Sequence, residues 1–340
     1  MKFFVLAPLS LIIISCSSAQ KVSFHAIEPA QEDQVASIRT ITFDSFLNDR
    51  IGAGGVIEGV VGGYSLDGSK PYFKVVERKN LSNVLAEQEL SSSWAVDPEQ
   101  RVRIGKLIGA QGIFGGEVLS VTSDDATKTE SRSRCSAQNN KGVCVRYESY
   151  NVTCHERTYG LSILVKLVDS TSGNYVFTKN LNDSQTFDQC PDRGSIPGSG
   201  EVIGNMLKKI SSDLLVMIAP TKYLLNVTIL EDMKDVDDPT DGQEKLFDSG
   251  LEFAKVGRAD KSLVLFKKLG DSLSWKSYVV NYNYAVLLEA TGDLVQADKH
   301  YKVADDLAQE PVEEINEGVA RISARIEKGS KLAGQLKERD

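Results

Sequence analysis

The sequence is poor in the residues and runs on which many catalytic and membrane-embedded proteins depend. Only three histidines and two tryptophans occur among 340 residues, and no two cysteines have the CxxC spacing typical of zinc sites. After the first fifteen residues, no apolar run approaches the roughly 20 residues that a membrane-spanning helix needs. These absences argue against a zinc site and against a helical membrane domain.

No group of residues suggests a catalytic centre. The three histidines are far apart and fall in different predicted elements: His25, His155 and His300. The spacing from Gly63 to Gly68 is similar to a phosphate-binding loop, but Ser69-Lys70 reverses the required Lys-Ser/Thr order. The sequence therefore predicts a protein that is not an enzyme, with no catalytic residues, no metal and no cofactor.

The charge of the chain excludes another class of partner. Its formal net charge is −8 and its isoelectric point is near 5.2, so a broad positive surface for nucleic acid is not expected. The hydrophobic content of 41% is ordinary for a globular protein, and the length predicts two domains.

The first residues have the layout of a secretion signal. Lys2 precedes an apolar stretch, Phe3–Ile14, which is too short to span a bilayer and runs into Ser15-Cys16. This junction resembles a bacterial lipobox, in which the cysteine thiol receives the lipid. The residue after Cys16 is Ser17 rather than Asp, which in Gram-negative lipoproteins implies sorting to the outer membrane. We therefore expect a signal peptide at residues 1–15 and a lipid anchor on Cys16 that holds the protein on the periplasmic side of the outer membrane.

Without Cys16, four cysteines remain, and an even number in an oxidising compartment predicts two disulfides. Three pairings are possible, and hairpin geometry distinguishes them. A turn at Ser170–Gly173 places Cys154 opposite Cys190, and a loop centred on Asn139-Asn140 places Cys135 opposite Cys144. The sequence thus predicts the bonds Cys135–Cys144 and Cys154–Cys190.

The body of the chain alternates between strand and helix patterns. Asp97-Pro98 is a typical helix start, and that helix is expected to end near Gly109. The predicted strands are Ile38–Phe46, Pro71–Arg78, Gly112–Thr122, Leu161–Asp169, Asn174–Leu181 and Tyr223–Leu230, with an amphipathic helix at Glu201–Ile218. This order predicts a layered α/β sandwich.

Several short runs in this region resemble the curli-secretion-channel (CsgG) family. They are Phe73-Lys-Val-Val-Glu-Arg78, Leu81…Val84-Leu85-Ala-Glu87-Gln88, Gly109-Ala110…Ile113…Gly115-Gly116-Glu-Val118 and Leu167-Val168-Asp169…Thr171-Ser-Gly173. The resemblance continues with the helix at 201–218 and covers roughly residues 28–230. The resemblance implies a periplasmic α/β domain that often assembles into rings, and it implies no catalytic residues. Related lipoproteins include holdfast anchors, and activators of peptidoglycan synthases of the LpoB type share a similar fold.

The C-terminal part of the chain is helical and repetitive. Gly250, Phe253, Gly257 and Phe266 recur 35 residues later as Ala285, Leu288, Gly292 and Tyr301, a period similar to that of tetratricopeptide repeats. Val312–Leu336 is expected to cap the two copies. The predicted organisation is a signal peptide at 1–15, an α/β domain at 16–230, an acidic linker at 231–242 and an all-α, tetratricopeptide-like helical domain at 243–340.

Three functions fit this organisation. The favoured one is a non-enzymatic outer-membrane lipoprotein that helps to assemble, secrete or anchor surface structures, with the helical repeats contacting a protein partner and the α/β domain able to form a homo-oligomeric ring. A secretion channel is an alternative, but it needs strands of about 9–11 residues with one apolar side, and the inserts at 123–156 and 182–200 are polar. An LpoB-like regulator of a peptidoglycan synthase is the other alternative, although its long Pro-rich linker is absent.

Replacing Cys16 by alanine tests the predicted anchor. Cys16→Ala removes the thiol that would carry the lipid, so the variant is expected to leave the detergent-rich phase after phase separation and to leave the outer-membrane fraction. A variant that still partitions with detergent would show that Cys16 is not the attachment point.

Overall fold

The structure, a computed structural model, describes residues 20–87 and 97–337. The predicted signal peptide and Cys16 lie outside these residues. The described residues form two compact units, one of residues 20–26 together with Lys222–Ser330 and the other of the described part of Ile27–Thr221 together with residues 331–337. Within the described residues, no helix is both long and apolar enough to cross a membrane.

The elements follow one another in this order: β1 (Lys21–Glu28), α1 (Asp33–Ala36), β2 (Thr40–Leu47), α2 (Ala53–Gly62), β3 (Lys74–Val75), α3 (Arg78–Glu87), α4 (Pro98–Ile108), β4 (Gly112–Gln138), β5 (Cys144–Asp169), β6 (Tyr175–Cys190), β7 (Arg193–Gly194), α5 (Ser199–Ile218), β8 (Thr221–Thr228), α6 (Asp241–Lys255), α7 (Ala259–Ser272), α8 (Tyr278–Thr291), α9 (Leu294–Leu307) and α10 (Glu313–Leu336).

The α/β unit is built on a six-stranded sheet in the order β3-β2-β4-β5-β6-β7. β2 is parallel to both β3 and β4, and helices α2, α3 and α4 supply the long crossovers that parallel strands require. The remaining pairs are antiparallel and follow one another along the chain. Gly173, at φ +71° in the turn between β5 and β6, adopts a conformation that favours glycine.

Helices cover both faces of this sheet, so the predicted layered α/β sandwich is confirmed. On one face, α2 and α5 bury Ile57, Met206 and Leu214 against Ile163 and Val165 of β5. On the other face, a smaller cluster joins α3 and α4 to the sheet: Leu81, Leu85, Ile104, Ile108, Ala110, Ile113 and Val168. Helix α4 begins and ends where its sequence predicts, because the Asp97 side chain accepts a hydrogen bond from the Gln100 N–H and Gly109 adopts φ +68°.

Several predicted strands differ from the structure. The strand predicted at Pro71–Arg78 is present only as β3, Lys74–Val75, and the strands predicted at Leu161–Asp169 and Asn174–Leu181 are, apart from Asn174, parts of the longer β5 and β6. The strand predicted at Gly112–Thr122 continues as β4 to Gln138, because the residues that follow Thr122 pair with β5. The strand predicted at Tyr223–Leu230 is present as β8, but it pairs with β1 in a separate two-stranded sheet. No strand had been predicted at β1, and its Val22 and Phe24 share a core with the C-terminal helices.

The second unit is helical from α6 to the part of α10 that it contains, as the repeat pattern predicts. Gly250, one of the repeat positions, and Gly318 allow close packing: a Cβ on Gly250 would lie 2.6 Å from the Phe266 ring, and one on Gly318 would lie 2.6 Å from the Tyr301 ring. Gly292 ends α8 in the left-handed conformation, and the side chain of Asp293 then caps α9. Helix α6 begins at Asp241, inside the stretch predicted as a linker, with Thr240 and Gln243 forming a capping box.

A buried carboxylate joins three helices of this unit. The side chain of Glu289 on α8 is fully buried and forms ion pairs with Arg321 at 3.0 Å and Arg325 at 2.8 Å, both on α10. The Tyr301 hydroxyl on α9 donates to the same carboxylate at 2.7 Å. Burial raises the pKa of Glu289, but the hydrogen bonds and charge of Arg321 outweigh it, and the pKa lies below its ordinary value of 4.5.

We expect Glu289→Gln to lower the free energy of unfolding of the helical unit by about 3 kcal/mol, because two half-buried arginines would lose their countercharge. The folded-state pKa of Glu289 is depressed, so its contribution is complete above its ordinary pKa of 4.5 and is lost as pH falls through the lower folded value. Urea unfolding at neutral and acidic pH measures both effects. The control Lys302→Ala, which breaks an exposed pair with Asp298, should cost less than about 1 kcal/mol. Equal losses in the two variants would contradict a stabilising role for Glu289.

Candidate interaction surface

The most exposed feature of the α/β unit is the outer part of the β4–β5 hairpin, residues 123–156, which we call the ribbon. Pairing between the two strands continues without interruption from Ser120 to Cys135 and then through bulges to the pair Gln138 and Cys144. Strand β2 accompanies β4 only as far as Glu117, and the pairing of β6 with β5 ends near His155. The ribbon therefore extends beyond the sheet as two strands.

The two sides of the ribbon differ in chemistry because side chains alternate along a strand. Beyond Asp125 and His155, one side is neutral and exposed, and its residues are small or amide side chains: Thr129, Ser131, Ser133, Ser149, Asn151 and Thr153. The other side carries charges from both strands: Lys128, Glu130, Arg132, Arg134, Glu148 and Glu156. Neither side is apolar along its length.

On the charged side, an ion-pair network holds the end of β6 and the short strand β7 against the ribbon. The Glu130 carboxylate lies 2.7 Å from both Arg132 and Arg193 and 3.2 Å from Lys128. Arg132 also pairs with Asp192 at 2.9 Å. Hydrogen bonds from Arg193, Arg132 and Lys128 lower the pKa of Glu130 to about 2, so its carboxylate remains ionised throughout the neutral range.

A disulfide lies beneath this network. Cys154 and Cys190 are bonded to each other, are both buried, and have Cα atoms 4.2 Å apart. This is the pair that the register of the β5–β6 hairpin predicts. The bond joins the base of the ribbon to the last residue of β6. The backbone pairing of β5 with β6 ends here, so the disulfide holds the two strands together at the end of their hydrogen-bonded pairing.

The second disulfide, Cys135–Cys144, closes the tip of the ribbon. The predicted partners are correct, but the predicted register is wrong: Cys144 lies opposite Gln138, and Cys135 lies opposite Tyr147. Bulges between Cys135 and Gln138 shift the strands, and a tight loop in which Asn139 bonds the N–H groups of Lys141 and Val143 replaces a symmetric turn.

The tip also exposes apolar side chains on an otherwise polar hairpin. Val143, Val145 and Tyr147 are 59%, 62% and 69% exposed; Val143 ends the tip loop, and Val145 and Tyr147 stand on β5, the strand that leaves it. The disulfide beside them keeps this cluster in a fixed arrangement. Rigid aromatic and aliphatic side chains of this kind are typical anchors of protein–protein contacts.

Other candidate chemistry does not converge. The ring of His300 packs on Trp275 and Tyr284, its Nδ1 lies 2.8 Å from the Asn281 Oδ1, and burial lowers its pKa. Among the described residues, the one group of possible metal ligands is Glu130 with Cys154 and Cys190, and the disulfide occupies both of its sulfur atoms. A cavity of about 600 Å³ beside the Ser170–Gly173 turn has Asp169 as its single carboxylate, which accepts hydrogen bonds from that turn.

Sequence reasoning located the cysteines but missed the charge network around them. The sequence does contain a pattern that indicates the charged side of the ribbon. From Thr127 to Arg134, charged residues alternate with Ser and Thr at the period of a strand. The partners Asp192 and Arg193 could not be assigned, because they reach Glu130 and Arg132 only through the hairpin fold.

Comparison with known families finds a match within the α/β unit. Residues 66–140, from the loop after α2 to the tip of the ribbon, match the family model described as "Curli production assembly/transport component CsgG". This stretch of the chain is therefore similar to that family. Strand β4, and with it one complete strand of the ribbon, therefore lies within the CsgG-like match rather than in an unrelated insertion.

Solved structures with limited similarity include two bacterial proteins. The lipoprotein GNA1162 from Neisseria meningitidis is 11% identical, with a match that covers 51% of this chain and 99% of that one at a TM-score of 0.25. The PelC dodecamer from Paraburkholderia phytofirmans is 12% identical, with coverage of 58% and 98% at a TM-score of 0.24. No curated protein matches the chain significantly.

The two disulfides of the α/β unit are expected to differ in their effect on stability. Replacing Cys154 and Cys190 by serine opens a loop of sequence separation 36 at a buried site and should cost about 2–4 kcal/mol of unfolding free energy. Removing Cys135 and Cys144 should mainly speed amide hydrogen exchange in the exposed tip. Denaturant unfolding and hydrogen exchange measure these effects, and non-reducing peptide mapping checks the pairing. Recovery of Cys144 linked to Cys154 would refute the hairpin arrangement.

Proposed function

We propose that this protein is a non-enzymatic outer-membrane lipoprotein that assists the assembly, secretion or anchoring of surface structures through protein–protein contacts. The observation that carries the proposal is the disulfide-braced ribbon, which presents a fixed, exposed tip outside the packed sheet. The match to a curli assembly and transport component supports the same class of function. Lipid attachment at Cys16 would restrict these contacts to the membrane surface.

The long edge of β4 supports association with further copies of the chain. After Glu117, β4 has β5 on one side, and no described strand lies on the other as far as Gln138. An exposed strand edge offers backbone N–H and C=O groups to a strand from another molecule. A homo-oligomeric ring would satisfy these groups, and it is our proposal for the assembled state.

A secretion channel is the second candidate, and strand length favours it. β4 has 27 residues and β5 has 26, more than the 9–11 or so that a tilted strand needs to span a membrane. The composition of the ribbon opposes it, because one side is made of Ser, Thr and Asn and the other carries Lys128, Arg132 and Arg134. A Lys or Arg near the middle of a membrane costs about 2–4 kcal/mol, and each subunit would repeat that cost.

The tip of the ribbon can be tested without disturbing the core. We expect the double variant Val145→Arg/Tyr147→Arg to fold normally, since both side chains are more than 60% exposed, and to lose its partners because charged side chains replace the apolar anchors. Affinity purification from solubilised outer membranes, with quantitative mass spectrometry, should show at least a tenfold loss of the specifically captured proteins.

A matched control is available on the helical unit. Val264→Arg/Val295→Arg changes two residues that are 53% and 61% exposed, and this variant should retain the partners. Equal capture by the tip variant and the wild type would contradict a role for the tip. Stepwise conductance of the purified lipoprotein in planar bilayers, lost when residues 123–156 are removed, would favour the channel instead.

A further inference from the structure

Helix α8 holds an extended piece of the protein's own chain. The segment from Thr228, the last residue of β8, to Asp235 runs along this helix within the helical unit, from its middle toward its N-terminus. Side chains Val279 to Glu289 of α8 are all buried. In a helical repeat domain, such a face is available to another chain. Here the protein's own segment therefore occupies this face of α8.

Two side chains of α8 hold the backbone of this segment rather than its side chains. The Asn283 amide makes two hydrogen bonds to one residue: its Oδ1 accepts from the Leu230 N–H at 2.9 Å, and its Nδ2 donates to the Leu230 carbonyl at 2.7 Å. One residue earlier, the Tyr282 hydroxyl donates to the Thr228 carbonyl at 2.7 Å. Both side chains are 1% exposed. Contacts of this kind recognise an extended backbone independently of its sequence.

The carboxylate of Asp235, five residues after Leu230, completes the contact between the segment and α8. Asp235 accepts hydrogen bonds from the Ser277 hydroxyl at 3.0 Å and from the backbone N–H groups of Tyr278 and Val279. These groups form the N-terminus of α8, where unpaired N–H groups and the helix dipole favour a negative charge. Ile229 lies between Thr228 and Leu230, and Met233 lies between Leu230 and Asp235. Both side chains are buried in the core of the helical unit.

We infer that α8 is a binding site for an extended peptide with a carboxylate five residues after the clamped position, and that Thr228–Asp235 fills this site in cis. The partner that the site fits is a peptide strand of another protein with the same chemistry: a free backbone N–H and C=O for Asn283, two apolar side chains and an acidic residue for the helix N-terminus. The inference concerns the helical unit and does not depend on the ribbon.

The covalent connection of the segment explains why the site would be closed to free peptides. A segment tethered next to its site has a high effective concentration, commonly in the millimolar range for short connections, so a competing peptide binds weakly. Any change that weakens the cis segment without altering the residues of α8 should therefore raise the affinity for a peptide supplied in trans.

The test uses a fluorescein-labelled peptide with the sequence of residues 226–237, added to the full-length protein. Asp235→Ala removes the carboxylate from the cis segment and leaves Ser277, Tyr282 and Asn283 intact. Fluorescence anisotropy should show binding to this variant at least tenfold tighter than to the wild type. Circular dichroism should show an unchanged helix content.

Two controls identify the site. Adding Asn283→Leu to the Asp235→Ala variant should abolish binding, because Leu cannot bond the backbone of the peptide. A peptide with N-methyl-leucine at the position of Leu230 lacks the N–H that Asn283 accepts, and it should bind at least tenfold more weakly than the unmodified peptide.

The milder variant Asp235→Asn keeps an oxygen acceptor but loses the charge, so it provides the same test if Asp235→Ala does not fold. It should bind the peptide with an affinity between those of the wild type and the alanine variant. Equal affinities in the wild type and a folded Asp235 variant would overturn the inference. So would binding that survives Asn283→Leu or the N-methylated peptide.

Discussion

The structure of the α/β unit depends on the pairing of β4 with β5. From Gly112 to Gly116, β4 lies between β2 in parallel and β5 in antiparallel orientation, so it joins the two halves of the sheet. Gly116 makes this possible, because a Cβ there would lie 2.0 Å from the Leu164 carbonyl oxygen and 2.8 Å from the Phe46 ring. The same pairing continues outward and forms the ribbon, so the buried sheet determines where the exposed tip is placed.

Polar groups, rather than apolar burial alone, specify each unit. In the ribbon, where there is little core to bury, two disulfides and the charges around Glu130 stabilise the arrangement of the strands. In the helical unit, the buried Glu289 carboxylate with two arginines aligns three helices, and the Asn283 amide holds an extended backbone. Buried polar groups of this kind lose stability when a partner is missing, so they disfavour alternative packings.

Much of the fold could be predicted because its signals are local. The cap at Asp97, the left-handed glycines at 109 and 292, and the 35-residue repeat identify helices from neighbouring residues alone. The Cys154–Cys190 pair was also accessible, since its partners follow from the position of the β5–β6 turn. The predicted strand end at Thr122 was wrong: residues 123–138 continue the strand because the facing residues of β5 pair with them. The register at the tip was wrong because bulges cannot be recognised from spacing.

The sequence by itself determined the helices, most strands, the class of fold and the cysteine partners, since periodicity, caps and turns act over a few residues. Only the tertiary structure decided that β1 pairs with β8, that Arg193 reaches Glu130, and that Asp235 caps α8. Each of these contacts joins residues from about 40 to about 200 positions apart, and many other residues of the same type were equally available as partners. Burial, register and the satisfaction of polar groups select one partner among them, and those constraints exist only when the whole chain is packed.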